Sequence, residues 1–156
     1  MDIAITLTAL VAVLGAAVVY GTDVFCAIVL RPALAGVGDR ALTAVLGGVH
    51  RYGDRRMPIP GVLSVVATAA TAVLATIAAH RAQALTAAVA LILLLVWTAL
   101  YATVSAPINR RFTAAAAAGG DLPDPRALQA KWDRIIDTRA ALQGLAVLAL
   151  CVGLVL

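Results

Sequence analysis

The chain carries little charge and few aromatic residues for its length. Of its 156 residues, 13% are charged, 4% are aromatic and 63% are hydrophobic, and all 8 acidic residues are aspartates. Soluble domains carry about 25% charged residues. The composition therefore excludes an ordinary water-soluble domain.

Several chemical motifs are also missing. The chain has two cysteines, Cys26 and Cys151, which lie in the first and last apolar stretches and toward opposite ends of them, beyond disulfide reach. It has no CxxC pair, glycine-rich phosphate loop, nucleophile elbow or glutamate pair. These absences argue against a thiol oxidoreductase, a nucleotide-driven machine and a di-iron carboxylate enzyme, and no motif identifies a cofactor.

Four long apolar stretches take up most of the sequence, at residues 3–30, 59–79, 83–106 and 135–156. Each can cross a hydrocarbon layer, which needs roughly 20 helical residues. The sequence therefore predicts an all-α fold over residues 1–156: an integral membrane four-helix bundle in one domain. Pro32 and Pro107 are expected to end the first and third helices, Pro58 to begin the second, and Pro125 to begin a helix that runs into the fourth.

The first connection is predicted to contain a helix of its own. Leu42, Val45, Leu46 and Val49 recur at helical spacing, with polar residues elsewhere around the helix. This pattern is typical of an amphipathic helix that lies against the bilayer or against the end of the bundle.

The distribution of Lys and Arg predicts the orientation. Of the 12 basic residues, 5 lie between the first and second spans, 1 between the second and third, and 6 between the third and fourth or at the start of the fourth. The positive-inside rule then places the first and third connections in the cytoplasm and both termini outside. Since these charges flank the spans, they indicate topology and not nucleic-acid binding. The Ala- and Arg-rich composition favours a bacterial source, and hence the inner membrane.

Unusual polar residues gather at the cytoplasmic end. Asp23 and Asp137 fall near the edge of the hydrocarbon layer, where an acidic group normally faces the bundle interior and has a partner. Candidate partners near them are Arg31, His50, Arg51, Asp54, Arg55, Asn109, Arg110 and Arg139. Two interpretations stay open: ion pairs that hold the helix ends together, or a functional site.

The aromatic residues favour a pocket at the same end. All seven map to the cytoplasmic half or its connections: Tyr20, Phe25, Tyr52, Trp97, Tyr101, Phe112 and Trp132. Trp97, Tyr101 and Ser105 follow one helix face toward Asn109. In the fourth span, Asp137, Ala141, Gly144 and Leu148 form a small face that is expected to pack closely against another helix.

A metal site at His50 and Asp54 is a weaker hypothesis. The two residues are four apart, which places both side chains on one helix face, and Asp137 could supply a third ligand. A solvated His–Asp pair on the face of a helix accounts for the spacing equally well and is the commoner arrangement.

Four short sequence motifs, in the same order along the chain, resemble those of the anthrone-oxygenase-like family of small four-span membrane proteins. They are Phe25 through Arg31-Pro32-Ala33-Leu34, then Met57-Pro58, then Pro107-Ile108-Asn109, and a helix from Trp132 to Arg139. The family often has Asn-His before the arginine, where this chain has Ile136 and Asp137. For fungal members the resemblance implies oxygenation of an anthrone to an anthraquinone.

The resemblance implies an oxygenase-like enzyme acting on a lipophilic aromatic substrate at the cytoplasmic end. Asp137 or His50 would handle the proton, Asn109 and Arg139 would hold an oxygen atom, and Trp97 and Tyr101 would stack on the rings. Asp23 and Trp132 complete the expected substrate-binding set. The alternative is a non-catalytic accessory, ligand-binding or scaffold protein, because small-residue faces also suit packing against lipid, neighbouring helices or a second copy of the chain. A transporter is disfavoured, since spans two and three carry no charge at depth.

Overall fold

The computed structural model describes residues 2–156, and these form a helical bundle. The helices are α1 (Ile3–Phe25), α2 (Arg31–Leu34), α3 (Asp39–Arg56), α4 (Pro58–Ile77), α5 (Arg81–Leu100), α6 (Ala106–Ala117) and α7 (Pro125–Val155). Two five-residue π-helical segments, Cys26–Leu30 and Tyr101–Ser105, join α1 to α2 and α5 to α6. The predicted all-α four-helix bundle is confirmed.

The four long helices pack as a ring in the order α1, α4, α5, α7, with α7 closing back onto α1. Each is long and apolar enough to cross a membrane, so the chain is an integral membrane protein. The middle of the bundle is built largely from alanines, among them Ala12, Ala16, Ala67 and Ala90. Small side chains let helix backbones approach closely, and helices in lipid associate by such close packing.

The expected helix ends at Pro32 and Pro107 are wrong, because helix continues through both prolines. The Arg31 N–H bonds back five residues to the Cys26 carbonyl, and the Ala106 N–H bonds back five residues to the Tyr101 carbonyl. A proline within an α-helix lacks one N–H and its ring clashes with the carbonyl four residues earlier. A wider π turn immediately before each proline removes that conflict, and the first and third helices therefore extend to Leu34 and Ala117.

Helices α3 and α6 pack together at one end of the bundle, called here the α3 end. Helix α3 is the helix that the pattern in the first connection predicted, although Val45 and Val49 are exposed while Leu42 and Leu46 are buried. The α3–α6 seam is tight at Gly47, where an added Cβ would lie 2.7 Å from the Phe112 carbonyl oxygen and would collide with Ala116.

Replacing Gly47 by alanine should therefore destabilise the protein by about 1–3 kcal/mol, the usual cost of overpacking a close contact. Gly48 is the matched control, because a Cβ there meets nothing within 4 Å. Gly48→Ala should stabilise by about 0.4–1 kcal/mol, since it removes freedom from the unfolded chain. Reversible unfolding in detergent micelles would measure both changes. A loss of stability in Gly48→Ala as large as that in Gly47→Ala would contradict the seam.

Helix α7 buries a different face from the expected one. Asp137, Ala141 and Leu148 are exposed, and Gly144 is only partly buried. The buried side is formed by Ile136, Arg139, Ala140, Gln143, Ala146 and Leu150. The sequence predicted a buried face of small side chains, but the bundle instead places two long polar side chains of α7, Arg139 and Gln143, in its interior.

Candidate functional site

Asp23 is the most deeply buried carboxylate at the α3 end, and its side chain is only 4% exposed. Two helices, α5 and α7, supply its three hydrogen-bond donors. Arg139 Nη2 donates to Oδ1 at 2.8 Å, while Trp97 Nε1 and Gln143 Nε2 donate to Oδ2 at 3.0 and 3.2 Å. Charge-assisted bonds of this kind offset the cost of burying an anion. The carboxylate thus ties α1 to α5 and α7.

The Arg139 guanidinium lies among aromatic rings. Its carbon is 5.6 Å from the ring centroids of Trp97 and Tyr101 and 5.7 Å from that of Trp132. Nη1 donates to Ser105 Oγ at 2.7 Å. Rings at this distance stabilise a cation through their negatively charged faces. The arginine is therefore held in place by one anion, one hydroxyl and three rings.

A second polar group lies beside this pair, on α3 and α6. Asp54 Oδ1 accepts hydrogen bonds from Tyr101 Oη at 2.9 Å and from Asn109 Nδ2 at 2.8 Å. His50 is buried between Phe112 and Trp132, with each pair of ring centroids 5.9 Å apart. Helix α3 thus adds an imidazole and a carboxylate to the groups contributed by the spans.

A cavity of about 310 Å³ joins these groups. That volume is at the lower end of the range of about 300–1,000 Å³ typical of small-molecule sites. At its polar end the cavity is lined by charged, polar and aromatic side chains: Asp23, His50, Asp54, Asn109, Arg139, Trp97, Tyr101 and Trp132. At its apolar end it is lined by Val62, Val65, Val66 and Leu95.

The apolar end of the cavity lies between α4 and α5. Val62, Val66 and Leu95 line the cavity and are also exposed on the outer surface of the bundle. In an integral membrane protein that surface meets lipid. The apolar end of the cavity is therefore bordered by side chains that also face lipid.

Most of the bundle's buried polar atoms without a partner belong to residues that line the cavity. Six buried side-chain nitrogen or oxygen atoms in residues 2–156 lack a hydrogen-bond partner. Five belong to residues that line this cavity: His50 Nε2, Asn109 Oδ1, Gln129 Oε1, Trp132 Nε1 and Arg139 Nε. Each such atom costs about 1–3 kcal/mol when buried without a partner. Their concentration at one place is typical of a site that binds a polar group.

Both π-helical segments flank the site. One begins three residues after Asp23, and the other runs from Tyr101 to Ser105. π turns inside α-helices occur frequently at functional sites. Here the second segment changes the helical register between Tyr101 and Asn109, yet both side chains still reach Asp54.

The structure brings seven of the eight candidate site residues to this cavity and leaves Asp137 outside. Its side chain is 65% exposed and accepts a 3.0 Å hydrogen bond from Arg31 Nη1. The expected placement of Asp137 beside Asn109 and Arg139 is wrong, because residues two apart on a helix point to different sides. Arg31 itself lines the cavity, so Asp137 is one residue removed from it.

The His50–Asp54 metal hypothesis gains no third ligand. Within the described range, no three His, Cys, Asp or Glu side chains come together. One oxygen of Asp54 is instead occupied by Tyr101 and Asn109.

Gln143 and Gln129 are site residues that the sequence argument missed. Gln143 lies one helical turn after Arg139 and is almost fully buried. A glutamine inside an apolar span was the available signal, because an amide in lipid needs a partner. Gln129 lies one turn before Asp133, to which its Nε2 donates at 2.8 Å.

No family model, curated protein or solved structure matches the chain. The likeness to the anthrone-oxygenase-like family therefore depends on the four sequence motifs alone.

Proposed function

We propose that the chain is a membrane-embedded enzyme of the oxygenase type that acts on a lipophilic aromatic ketone in this cavity. The observation that carries the proposal is a largely apolar cavity at the lipid-facing side of the bundle, lined by residues that hold five buried polar atoms without a hydrogen-bond partner. A flat molecule with one polar edge suits both features. Anthrones and related quinone precursors belong to this class.

The side chains suggest how such a molecule would lie. The rings of Trp97 and Tyr101 are stacked on each other, 6.1 Å apart and inclined by 16°, and present broad apolar surface to the cavity. Trp132 Nε1 and Arg139 Nε are unused donors suited to a ketone oxygen. Asn109 Oδ1 is an unused acceptor suited to a phenolic hydroxyl. Donors aimed at the oxygen would stabilise the negative charge that develops there.

His50 is the proposed base. Its Nε2 has no partner within residues 2–156, and the ring lies in the cavity wall among aromatic side chains. A neutral imidazole can accept a proton from the ring CH₂ of an anthrone, and the electron-rich anion that results reacts with O₂. The CH₂ loses two hydrogens and gains one oxygen atom from O₂, and the second oxygen atom leaves as water. Asp137, which lies outside the cavity, is not assigned this role.

The proposed orientation places the α3 end in the cytoplasm and both termini outside. The distribution of basic residues, 5, 1 and 6 over the three connections, supports it. The inner membrane of a bacterium is the proposed location. The cavity would then lie at the cytoplasmic side of the bilayer.

Turnover of anthrone by the protein reconstituted in lipid nanodiscs tests this proposal. Anthraquinone formation and O₂ uptake, above the rate in protein-free nanodiscs, should both be seen. His50→Ala should lower kcat by about 10²–10⁴-fold, the usual contribution of a general base. Asp137→Asn, which removes a carboxylate outside the cavity, should leave the rate within about twofold of the wild type. Equal rates with and without protein would rule out the oxygenase function for this substrate.

A non-catalytic ligand-binding role is the second candidate, and one observation favours it. The two most deeply buried charged groups of the site, Asp23 and Arg139, form hydrogen bonds to each other and to neutral neighbours, as in a structural ion pair. A protein of this kind would bind the same aromatic ligand with no product formed. Saturable binding without turnover would select this alternative.

A further inference from the structure

We infer that a second site, on the surface of the α3 end, binds a phosphate group. A cleft of about 470 Å³ opens between α3 and α6, separate from the bilayer-facing cavity. The charged side chains around it are Arg51, Arg55, Arg110 and Asp54, and His50 and Thr113 complete its polar lining. The inference does not depend on the proposed oxygenation.

The three arginines of the cleft lack anionic partners. Arg51, Arg55 and Arg110 take part in no side-chain hydrogen bond or ion pair within residues 2–156. Arg31 and Arg126 pair with aspartates, and Arg56 and Arg111, which are equally unpaired in that range, do not line the cleft. Arg51 and Arg55 lie one turn apart on α3, where like charges repel. Arg110 approaches the same cleft from α6. An anion would relieve this repulsion.

The balance of charge in the cleft favours an anion even with an aspartate present. Three arginines and one aspartate give a formal charge of +2 with His50 neutral. Asp54 is already engaged, because its Oδ1 accepts from Tyr101 and Asn109. Guanidinium groups bind phosphate oxygens in pairs of parallel hydrogen bonds. The Thr113 hydroxyl, which donates a long bond of 3.5 Å to the Gly47 carbonyl oxygen, lines the same cleft.

The cleft has space for more than an isolated phosphate. Its far wall is formed by Ala114 and Ala117, from the alanine run of α6, and their short side chains leave the cleft open. The volume is many times the roughly 30 Å³ that one water occupies. The headgroup of an anionic phospholipid and a soluble phosphate ester both carry a phosphate group that could bind here. The cleft lies at the end of the spans, where both kinds of molecule are present.

The cleft also shares a wall with the bilayer-facing cavity. His50 and Asp54 line both spaces. Helix α3 therefore separates an apolar site from a basic one, and an anion in the cleft would lie on the far side of the proposed base.

Matched double variants test the inference in the full chain. The cleft variant, Arg55→Gln with Arg110→Gln, removes two charges from the cleft. The control variant, Arg56→Gln with Arg111→Gln, removes two charges one position further along the same helices, from residues that do not line the cleft. The proteins are placed in phosphatidylcholine nanodiscs with or without phosphatidylglycerol, and native mass spectrometry records the lipid that each chain retains. A second arm adds inorganic phosphate to pure phosphatidylcholine nanodiscs and follows thermal unfolding.

The cleft variant should bind the anion about 10- to 30-fold more weakly than the wild type, since each of the two basic residues removed contributes about a fivefold change in binding. The control variant should stay within about threefold. Retention of phosphatidylglycerol without an effect of phosphate identifies a lipid headgroup as the source, and stabilisation by phosphate alone identifies a soluble ester. Two outcomes would overturn the inference. One is an equal loss of anion binding in both double variants when the two are equally stable in pure phosphatidylcholine. The other is no anion binding by the wild type in either arm.

Discussion

Asp23→Asn should lower the free energy of unfolding by about 3–5 kcal/mol, because it leaves the buried Arg139 guanidinium without its anion. The side chains of this pair are only 4% and 6% exposed. Asparagine keeps the shape of the side chain, so the loss would report the missing charge and not a cavity. Reversible unfolding in detergent micelles provides the measurement.

The exposed pair between Arg31 and Asp137 is the natural control. Its N–O distance of 3.0 Å is close to the 2.8 Å of the buried pair, but its side chains are 37% and 65% exposed. Solvent screens such a pair, so Asp137→Asn should change stability far less than Asp23→Asn. Combining Asp23→Asn with Arg139→Gln should recover part of the loss, since no unpaired charge then remains buried. Equal losses from Asp23→Asn and Asp137→Asn would contradict the assignment of Asp23 as the buried anchor.

Gly61→Leu should weaken the binding of a lipophilic aromatic ligand by about 10- to 200-fold, the usual effect of one misplaced small apolar group in a pocket. Gly61 lines the cavity, and an added Cβ would meet only Trp97, at 3.7 and 3.8 Å, which are ordinary contact distances. The Cβ therefore fits without forcing the backbone apart, and the rest of the leucine side chain would fill space that the ligand needs. Equilibrium dialysis of a radiolabelled ligand against nanodiscs would give the affinity.

Gly21→Leu controls for the glycine-to-leucine change itself. Gly21 is exposed, does not line the cavity, and a Cβ there meets nothing within 4 Å. Leucine favours helix more than glycine does, so neither variant should lose stability. Binding by Gly21→Leu should match the wild type. Unchanged binding in Gly61→Leu would mean that the ligand binds elsewhere.

Much of the fold could be predicted from the sequence, because membrane spans obey a simple length and polarity rule. Four spans, the helix in the first connection and the helix beginning at Pro125 followed from apolar runs, helical spacing and cap residues. The helix ends at Pro32 and Pro107 could not be predicted this way. A proline normally interrupts an α-helix, and only the preceding π turns, which have no reliable sequence pattern, let each helix continue.

Most residues of the site could be predicted from the sequence, but their contacts with one another could not. Asp23, Trp97, Asn109 and Arg139 stood out because polar or large aromatic groups are rare near the interior of a membrane bundle. Their pairing could not be predicted, since it depends on how α7 is rotated about its axis. That rotation places Arg139 inside and Asp137 outside. The family motif had suggested Asp137, in addition to His50, as a candidate for the proton-handling group, but the rotation of α7 leaves Asp137 outside the cavity.

The most direct test of the cavity as a ligand site uses the protein's own fluorescence. The chain has 2 tryptophans, and both Trp97 and Trp132 line the cavity. Titrating anthrone into nanodiscs of the wild type should quench their emission in a saturable way, with the same curve for Gly21→Leu. In Gly61→Leu only the weak, linear quenching caused by ligand dissolved in lipid should remain. Linear quenching of equal slope in all three proteins would contradict the account.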